Sequence, residues 1–294
     1  MDKVNKYIKN FVFILLWAIV FLCGTKQVFA KGFFYEVSKN GAKVYLLGSI
    51  HIAKEDAYPL DSIVEFTFKN CKNIVFEINI SKINPFEIMS YGVFKDTMTL
   101  EKAIPSKYFK ILDSTFQANG FPKFFYNMLQ PWMATLLVLN LDLKKNSEEY
   151  TDGIEFYFLK KLDSTQNILE LESFKEQLDV FKSLYELDSL YFLEYFLFHQ
   201  RENTSQIDDL SNAWMKGDEL KILDEITPSE GKDSLEITFY RKLNDERNLK
   251  MASKIEEFIS SNQCHFVIVG SAHLFGKQGI LEILKKRGCF VKRL

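Results

Sequence analysis

Val44-Tyr45-Leu46-Leu47-Gly48-Ser49-Ile50-His51 is an apolar run closed by Gly-Ser-x-His, and Phe266-Val267-Ile268-Val269-Gly270-Ser271-Ala272-His273 repeats the arrangement near the other chain end. Short apolar runs bounded by glycine read as buried strands. Each copy therefore reads as a strand, a sharp glycine turn and a histidine held where the strand stops. Open α/β sheets carry ligands at that end of their strands. The chain has 13 glycines and 4 histidines in 294 residues. Chance supplies only about 0.2 Gly-x-x-His matches at that composition, so two copies in matching settings are a signal.

Outward from the first copy, Phe33 to Ser38 and Lys43 to Gly48 flank Asn40-Gly41, a hairpin turn signal. After a loop with Pro59, Leu60 to Cys71 has helical spacing and Asn73 to Ile80 reads as a strand. Strand, helix and strand of this length form a βαβ unit, whose strands are parallel and usually adjacent. Around the second copy, His265 to Val269, Gly279 to Lys286 and Cys289 to Arg293 read as strand, helix and strand. Between them, Pro85 to about Asn262 is mostly helical in pattern. Its clearest segments are Tyr108 to Gln117, Met133 to Leu143, Ile154 to Leu162, Phe174 to Gln200 and Asp233 to Ser260. A strand-like patch, Asn167 to Leu171, interrupts them. The expected fold is α/β, with a mixed central sheet built from both chain ends, flanking helices and a large helical middle region walling a cleft. Residues 31–294 show no linker or repeat and read as one domain.

Residues 1–30 read as a secretory signal peptide. Lys3, Lys6 and Lys9 precede the uncharged stretch Phe11 to Gly24, and Val28-Phe29-Ala30 offers a cleavage site. An uncleaved membrane anchor is the alternative. A lipoprotein reading of Cys23 meets the large Leu22 where a small residue is wanted. The expected location is exported: periplasmic, extracellular or tethered. The chain holds 37 basic and 39 acidic residues. Removing the four lysines and one aspartate of residues 1–30 leaves a net charge of −5. That excludes the basic footprint of a nucleic-acid binder. Of the remaining cysteines, Cys71 reads as a buried thiol, while Cys264 and Cys289 flank one strand-helix-strand segment and could pair.

Glu77 breaks an apolar strand one βαβ unit after His51. A buried carboxylate needs a cation, a hydrogen-bond partner or a proton. Two imidazoles and a carboxylate suit a catalytic divalent metal with one position open for water. In a metal-free version, His51 or His273 is a general base oriented by Glu77. Ser49 and Ser271 are either nucleophiles or, on the blander reading, hydroxyls serving the turns. His199 and His265 read as structural histidines.

These motifs are where the chain resembles the TraB/GumN family, which is related to the Tiki-type metalloproteases. Matching elements run from Tyr45 to His51, through Pro59-Leu60 and Ile74 to Glu77, to Gln130-Pro131-Trp132. Asp152-Gly153-Ile154-Glu155 is similar to a Gly-(Ile/Val)-Asp element, with Glu155 in place of Asp. Leu171-Glu172-Ser173 with Gln177-Leu178, Trp214 to Asp218, Arg247-Asn248, and Val269 to Leu274 with Gly276 and Gly279 complete the series. The resemblance implies a mixed sheet with helices on both faces and metal-dependent peptide cleavage by His51, Glu77 and His273, with manganese or cobalt. It implies that Arg247 pairs a carboxylate or an oxyanion, and that Glu172 and Asp152 stand behind the ligands. The expected function is an exported metal-dependent hydrolase acting on a peptide or small-molecule substrate. Touching the membrane falls to an uncleaved N-terminal segment alone. The alternatives are a non-catalytic metal- or haem-binding protein and a metal-free esterase-like hydrolase. Substrate, metal identity and oligomeric state are not written in the sequence.

Overall fold

A computed structural model describes residues 30, 32–79, 82–145, 150–199, 204–228 and 234–294. The signal or anchor expectation for residues 1–29 lies outside the described residues. No helix among the described residues is long and apolar enough to cross a membrane.

The described residues form eight strands: β1 (Phe33–Lys39), β2 (Ala42–Ser49), β3 (Ile52–Lys54), β4 (Asn73–Phe76), β5 (Tyr150–Asp152), β6 (Asn167–Glu170), β7 (His265–Gly270) and β8 (Phe290–Arg293). Six form one mixed sheet in the order β6-β4-β7-β2-β1-β8, and β3 pairs with β5 in a small second sheet. β6, β4, β7 and β2 run parallel, while β1 is antiparallel to both β2 and β8. The fold is α/β, as the sequence pattern predicts. The β1–β2 hairpin closes on Asn40 and Gly41, both at positive φ (54° and 82°), as a tight two-residue turn requires.

Three expectations change. The βαβ unit does make β2 and β4 parallel, but β7 inserts between them, so they are not adjacent. The strand-like patch is a strand, Asn167–Glu170, and it forms an edge of the main sheet beside β4, so the helical middle contributes to a sheet expected from the two chain ends. Phe174 to Gln200 breaks into Phe174–Leu187, Ser189–Glu194 and a π-helical turn Tyr195–His199, because Asp188 ends one helix and caps the next. Gln200 lies outside the described residues.

β4 and β7 are buried along almost their whole length, which is why they read as continuous apolar runs. Helices Ser62–Asn70, Glu246–Ser260 and Ile280–Lys286 bury Val64, Phe68, Met251, Ile255, Ile280 and Leu284 in the core that contains the sheet. A second apolar cluster, with Leu112, Phe116, Tyr126, Trp132, Phe192 and Phe239, organises the helical middle.

The cysteines correct the sequence reading. Cys71 and Cys264 form a disulfide with Cα atoms 5.0 Å apart, and among the described residues Cys289 is the buried free thiol. Cys71 precedes β4 and Cys264 precedes β7; the pairing of Asn73 with His265 brings the two sulfurs together.

Candidate functional site

The strand order decides the site. At the carboxyl ends of β6, β4, β7 and β2 stand Glu172, Glu77, His273 and His51, in that spatial sequence. Ser49 pairs with Gly270 across β2 and β7, so the two Gly-x-x-His elements lie side by side, offset by one residue. Ligands of open α/β sheets sit in this position.

The glycines of the two elements serve a different purpose from the one expected. Gly48 lies within β2, and Gly270 has φ −52°, an ordinary conformation, so neither makes a sharp turn. Space is the constraint. A Cβ on Gly48 would sit 2.7 Å from Leu274 Cδ1 and 2.9 Å from Ser271 Oγ. On Gly270 it would sit 2.9 Å from Glu77 Oε1. The second glycine thus lets a carboxylate approach the backbone.

Glu77 follows the last residue of β4, a strand held between β6 and β7 rather than at an edge. Its Oε1 accepts from the Gly270 N–H at 2.6 Å and lies 3.9 Å from His273 Nε2. Its Oε2 accepts from Arg247 Nη2 at 3.1 Å. Burial alone would raise the Glu77 pKa. His273, Arg247, the Gly270 amide and His51 together outweigh it and hold the carboxylate below its ordinary range.

Arg247 and Asn248 lie in the first turn of helix Glu246–Ser260 and serve successive strand ends. The Arg247 Nε donates to both Glu172 oxygens at 3.1 Å, Nη1 donates to Leu243 O at 3.0 Å, and Nη2 is shared by Glu172 and Glu77. Both carboxylates are largely buried. Arg247 therefore pairs carboxylates, as one branch of the expectation holds, and its fork is filled by the protein itself. Glu172 pairs with Arg247 and also accepts from Gln177 Nε2 at 3.3 Å. The side chain of Asp152 lies outside the described residues.

Asn248 Oδ1 is 2.7 Å from His273 Nδ1, and Asn248 Nδ2 donates to Gln278 O at 2.9 Å. His273 is buried, and its pKa is pushed down to about 4, first by desolvation and then by Arg247 and His51. Glu77 pulls the other way without prevailing. The ring is neutral at pH 7.

His51 is a contrast: its side chain is 80% exposed. Its Nδ1 lies 3.5 Å from Glu155 Oε1, and the same oxygen accepts from Ser49 Oγ at 2.6 Å. Gly153 makes this possible. It lies so close to the His51 backbone that a Cβ would sit 2.3 Å from His51 O, and Ile154 N then donates to Ile50 O at 3.1 Å. Burial pushes the Glu155 pKa up, against His51 and Ser49 and with help from Glu77. Sequence reasoning saw Glu155 as a family departure and missed it as a site residue. A carboxylate at the position of a family Asp was the available signal. Ser271 Oγ donates to backbone as expected of a hydroxyl at a turn, but across to the neighbouring strand at Ser49 O rather than locally, whereas Ser49 bonds a side chain. His265 is structural, stacked on Phe258 with Nδ1 3.0 Å from Gln263 O.

So the fold gathers His51, Glu77, His273 and Arg247 around one end of the sheet. It does not close His51 onto the others: no three His, Cys, Asp or Glu side chains among the described residues stand as a ready metal cage. The donor chemistry nonetheless fits a divalent cation. A neutral buried imidazole faces a carboxylate oxygen across 3.9 Å, and a second carboxylate and imidazole stand at the adjoining strand end.

A pH dependence follows from His273. Unfolded histidine takes its proton near pH 6.5, whereas the native ring resists until about 4. Between these values the unfolded state binds more protons, so stability falls as the pH is lowered. The full contribution is present above pH 6.5, and about 3 kcal/mol is lost on descending to pH 4. Urea unfolding midpoints at pH 7.5, 6 and 5 should decline and should decline less in His273→Ala. Equal slopes would contradict the burial assigned to this ring.

The chain is 24% identical over 261 residues to the uncharacterized protein MJ1365 of Methanocaldococcus jannaschii, covering 84% of this chain and 54% of that one. It thus spans about half the length of that relative. It is 22% identical over 246 residues to the uncharacterized protein YbaP of Escherichia coli, covering 82% and 87%. No solved structure matches it. The model of the TraB/PrgY/gumN family matches residues 33–293, from β1 to the end of β8, and the chain belongs to that family.

Proposed function

We propose that the protein is an exported metal-dependent hydrolase, peptidase-like in its chemistry. One observation carries the reading. Three largely buried carboxylates stand at the strand ends with one guanidinium: Arg247 pairs Glu77 and Glu172, Glu155 has Ser49 and His51 beside it, and the buried imidazole of His273 is neutral. An excess of buried carboxylate requires protons or a cation. Burial, with a smaller contribution from the Glu77 charge, raises the Glu155 pKa, the direction such an excess produces. On this reading His273 Nε2 and Glu77 Oε1, 3.9 Å apart, would hold a divalent ion, with His51 and Glu155 at the adjoining strand end. A bound divalent ion acidifies a water and polarises a carbonyl. Arg247 and the Gly270 amide keep Glu77 ionised and fixed in direction. The disulfide supports export, since such bonds persist mainly in oxidising compartments. A serine nucleophile is less well served: Ser49 Oγ and Ser271 Oγ donate to Glu155 and to Ser49 O.

The test uses residues 31–294 and a mixture of quenched fluorescent peptides. Hydrolysis should vanish with chelator and return with Mn²⁺ or Co²⁺. His273→Ala and His51→Ala should each lose at least about a hundredfold in Co²⁺ affinity, with unchanged circular dichroism. Wild-type affinity in folded variants overturns the ligand assignment. Hydrolysis that survives chelation favours the metal-free esterase-like reading, and a Soret band on haem addition without turnover favours the binding-protein reading.

A further inference from the structure

Imidazole is useful to a ligand only through a nitrogen that carries no proton, and the hydrogen bond at the other nitrogen decides which one that is. His273 has that bond, and at His51 a carboxylate oxygen faces the same nitrogen at 3.5 Å. At His273 the assignment is forced by the chain of partners. Gln278 O is a carbonyl and can only accept, so the amide nitrogen of Asn248 must face it at 2.9 Å. Asn248 Oδ1 therefore faces the ring, 2.7 Å from Nδ1. An amide oxygen cannot donate, so Nδ1 bears the hydrogen and Nε2 bears the lone pair. That Nε2 is the atom 3.9 Å from Glu77 Oε1. At His51 a carboxylate does the same work. Glu155 Oε1 lies 3.5 Å from Nδ1, and Ser49 Oγ, donating to that oxygen at 2.6 Å, holds the carboxylate in place.

We infer that Asn248 and Glu155 are paired positioning residues, each fixing the Nδ1–H tautomer of one histidine so that both rings keep an unprotonated Nε2 for the ligand. The two come from different elements, the first turn of one helix and the first turn of another, Ile154–Lys161. The symmetry of the Gly-x-x-His elements is thus completed by two unrelated oxygen acceptors. The use made of the Nε2 atoms rests on the cation reading above; the tautomers do not.

Long-range ¹H–¹⁵N spectra of the metal-free full chain at pH 7.5 test this, with the four histidines assigned by substitution. The expected result is a protonated Nδ1 and a bare Nε2 at His51 and at His273. Asn248→Ala should move His273 alone toward the Nε2–H form that free imidazole prefers, and Glu155→Ala should move His51 alone. Asn248→Asp and Glu155→Asp keep an oxygen acceptor and should keep the wild-type tautomer. A packing role alone would move neither signal selectively. An Nε2–H tautomer at either ring in the wild type, or unchanged tautomers in both alanine variants, overturns the inference. Co²⁺ titration of the same proteins separates the two levels. The alanine variants should bind about ten- to a hundredfold more weakly and the aspartates close to wild type. A wild type with Nδ1–H tautomers that binds no Co²⁺ overturns the cation reading and leaves the positioning roles standing.

Discussion

Opening the Cys71–Cys264 bond should lower the unfolding free energy by about 3–5 kcal/mol, the largest stability effect expected of a change outside the site. The two cysteines are 193 residues apart in sequence, so the bond closes most of the domain into a loop. Chain-entropy reasoning assigns about 5 kcal/mol to a loop of that length, and measured bonds generally give somewhat less. Location adds to the expectation. The bond ties the starts of β4 and β7, the adjacent strands whose other ends carry Glu77 and His273. A polar lattice surrounds it: Asn73 Nδ2 donates to Gln263 Oε1 and Cys264 O, and Gln166 Nε2 donates to Phe68 O and Cys71 O. Cys71→Ser, Cys264→Ser and the double variant should have nearly equal midpoints, since each removes the same link. Wild type in reductant should join them. Thiol titration after denaturation should find one free thiol, Cys289, in a chain cut after Ala30, and two where Cys23 is retained. Identical midpoints with and without reductant would remove the bond from any account of stability.

Sequence reading reaches some parts of this molecule and not others, for physical reasons. Parallel strands buried on both faces are continuous apolar runs, so β2, β4 and β7 announce themselves, and their ends locate His51, Glu77 and His273. Pairing is not local. Nothing in the run Asn73 to Phe76 says that its neighbour is β7, almost two hundred residues away, rather than β2. That single topological fact joins Cys71 to Cys264 and places the Gly270 amide against Glu77. The glycine motif was visible and its reason was not, because a close approach between side chain and backbone leaves no mark on periodicity. Glu155 was hidden for a related cause. Its place beside His51 depends on Gly153 seating a helix start against the His51 carbonyl. Arg247-Asn248 was legible as a motif. Only the strand order reveals that adjacent residues on one helical turn serve adjacent strands, one holding a carboxylate and the other an imidazole.

That division of labour makes Glu172 the most consequential charged residue that no ligand is expected to touch. Its carboxylate takes the Arg247 Nε and shares Nη2 with Glu77, and all three side chains are largely buried. Removing one member of a buried ion network leaves its partner desolvated and only partly matched, which costs about 3–5 kcal/mol. Glu172→Ala should therefore destabilise the fold by that amount. Glu172→Gln keeps the shape and one acceptor oxygen, and should cost about 1–3 kcal/mol. Arg247→Met should cost at least as much as Glu172→Ala, because it strands two carboxylates in one place and removes the cation that holds Glu77 ionised. The double variant is the informative one. With Arg247 gone, Glu172 is a liability, so its further removal should recover stability rather than lose more. Chemical unfolding of the two singles and the double should give a coupling of about 2 kcal/mol or more. Additive losses would mean that Glu172 and Arg247 contribute separately, and Glu77 would then have to be held by the Gly270 amide and His273 without their help.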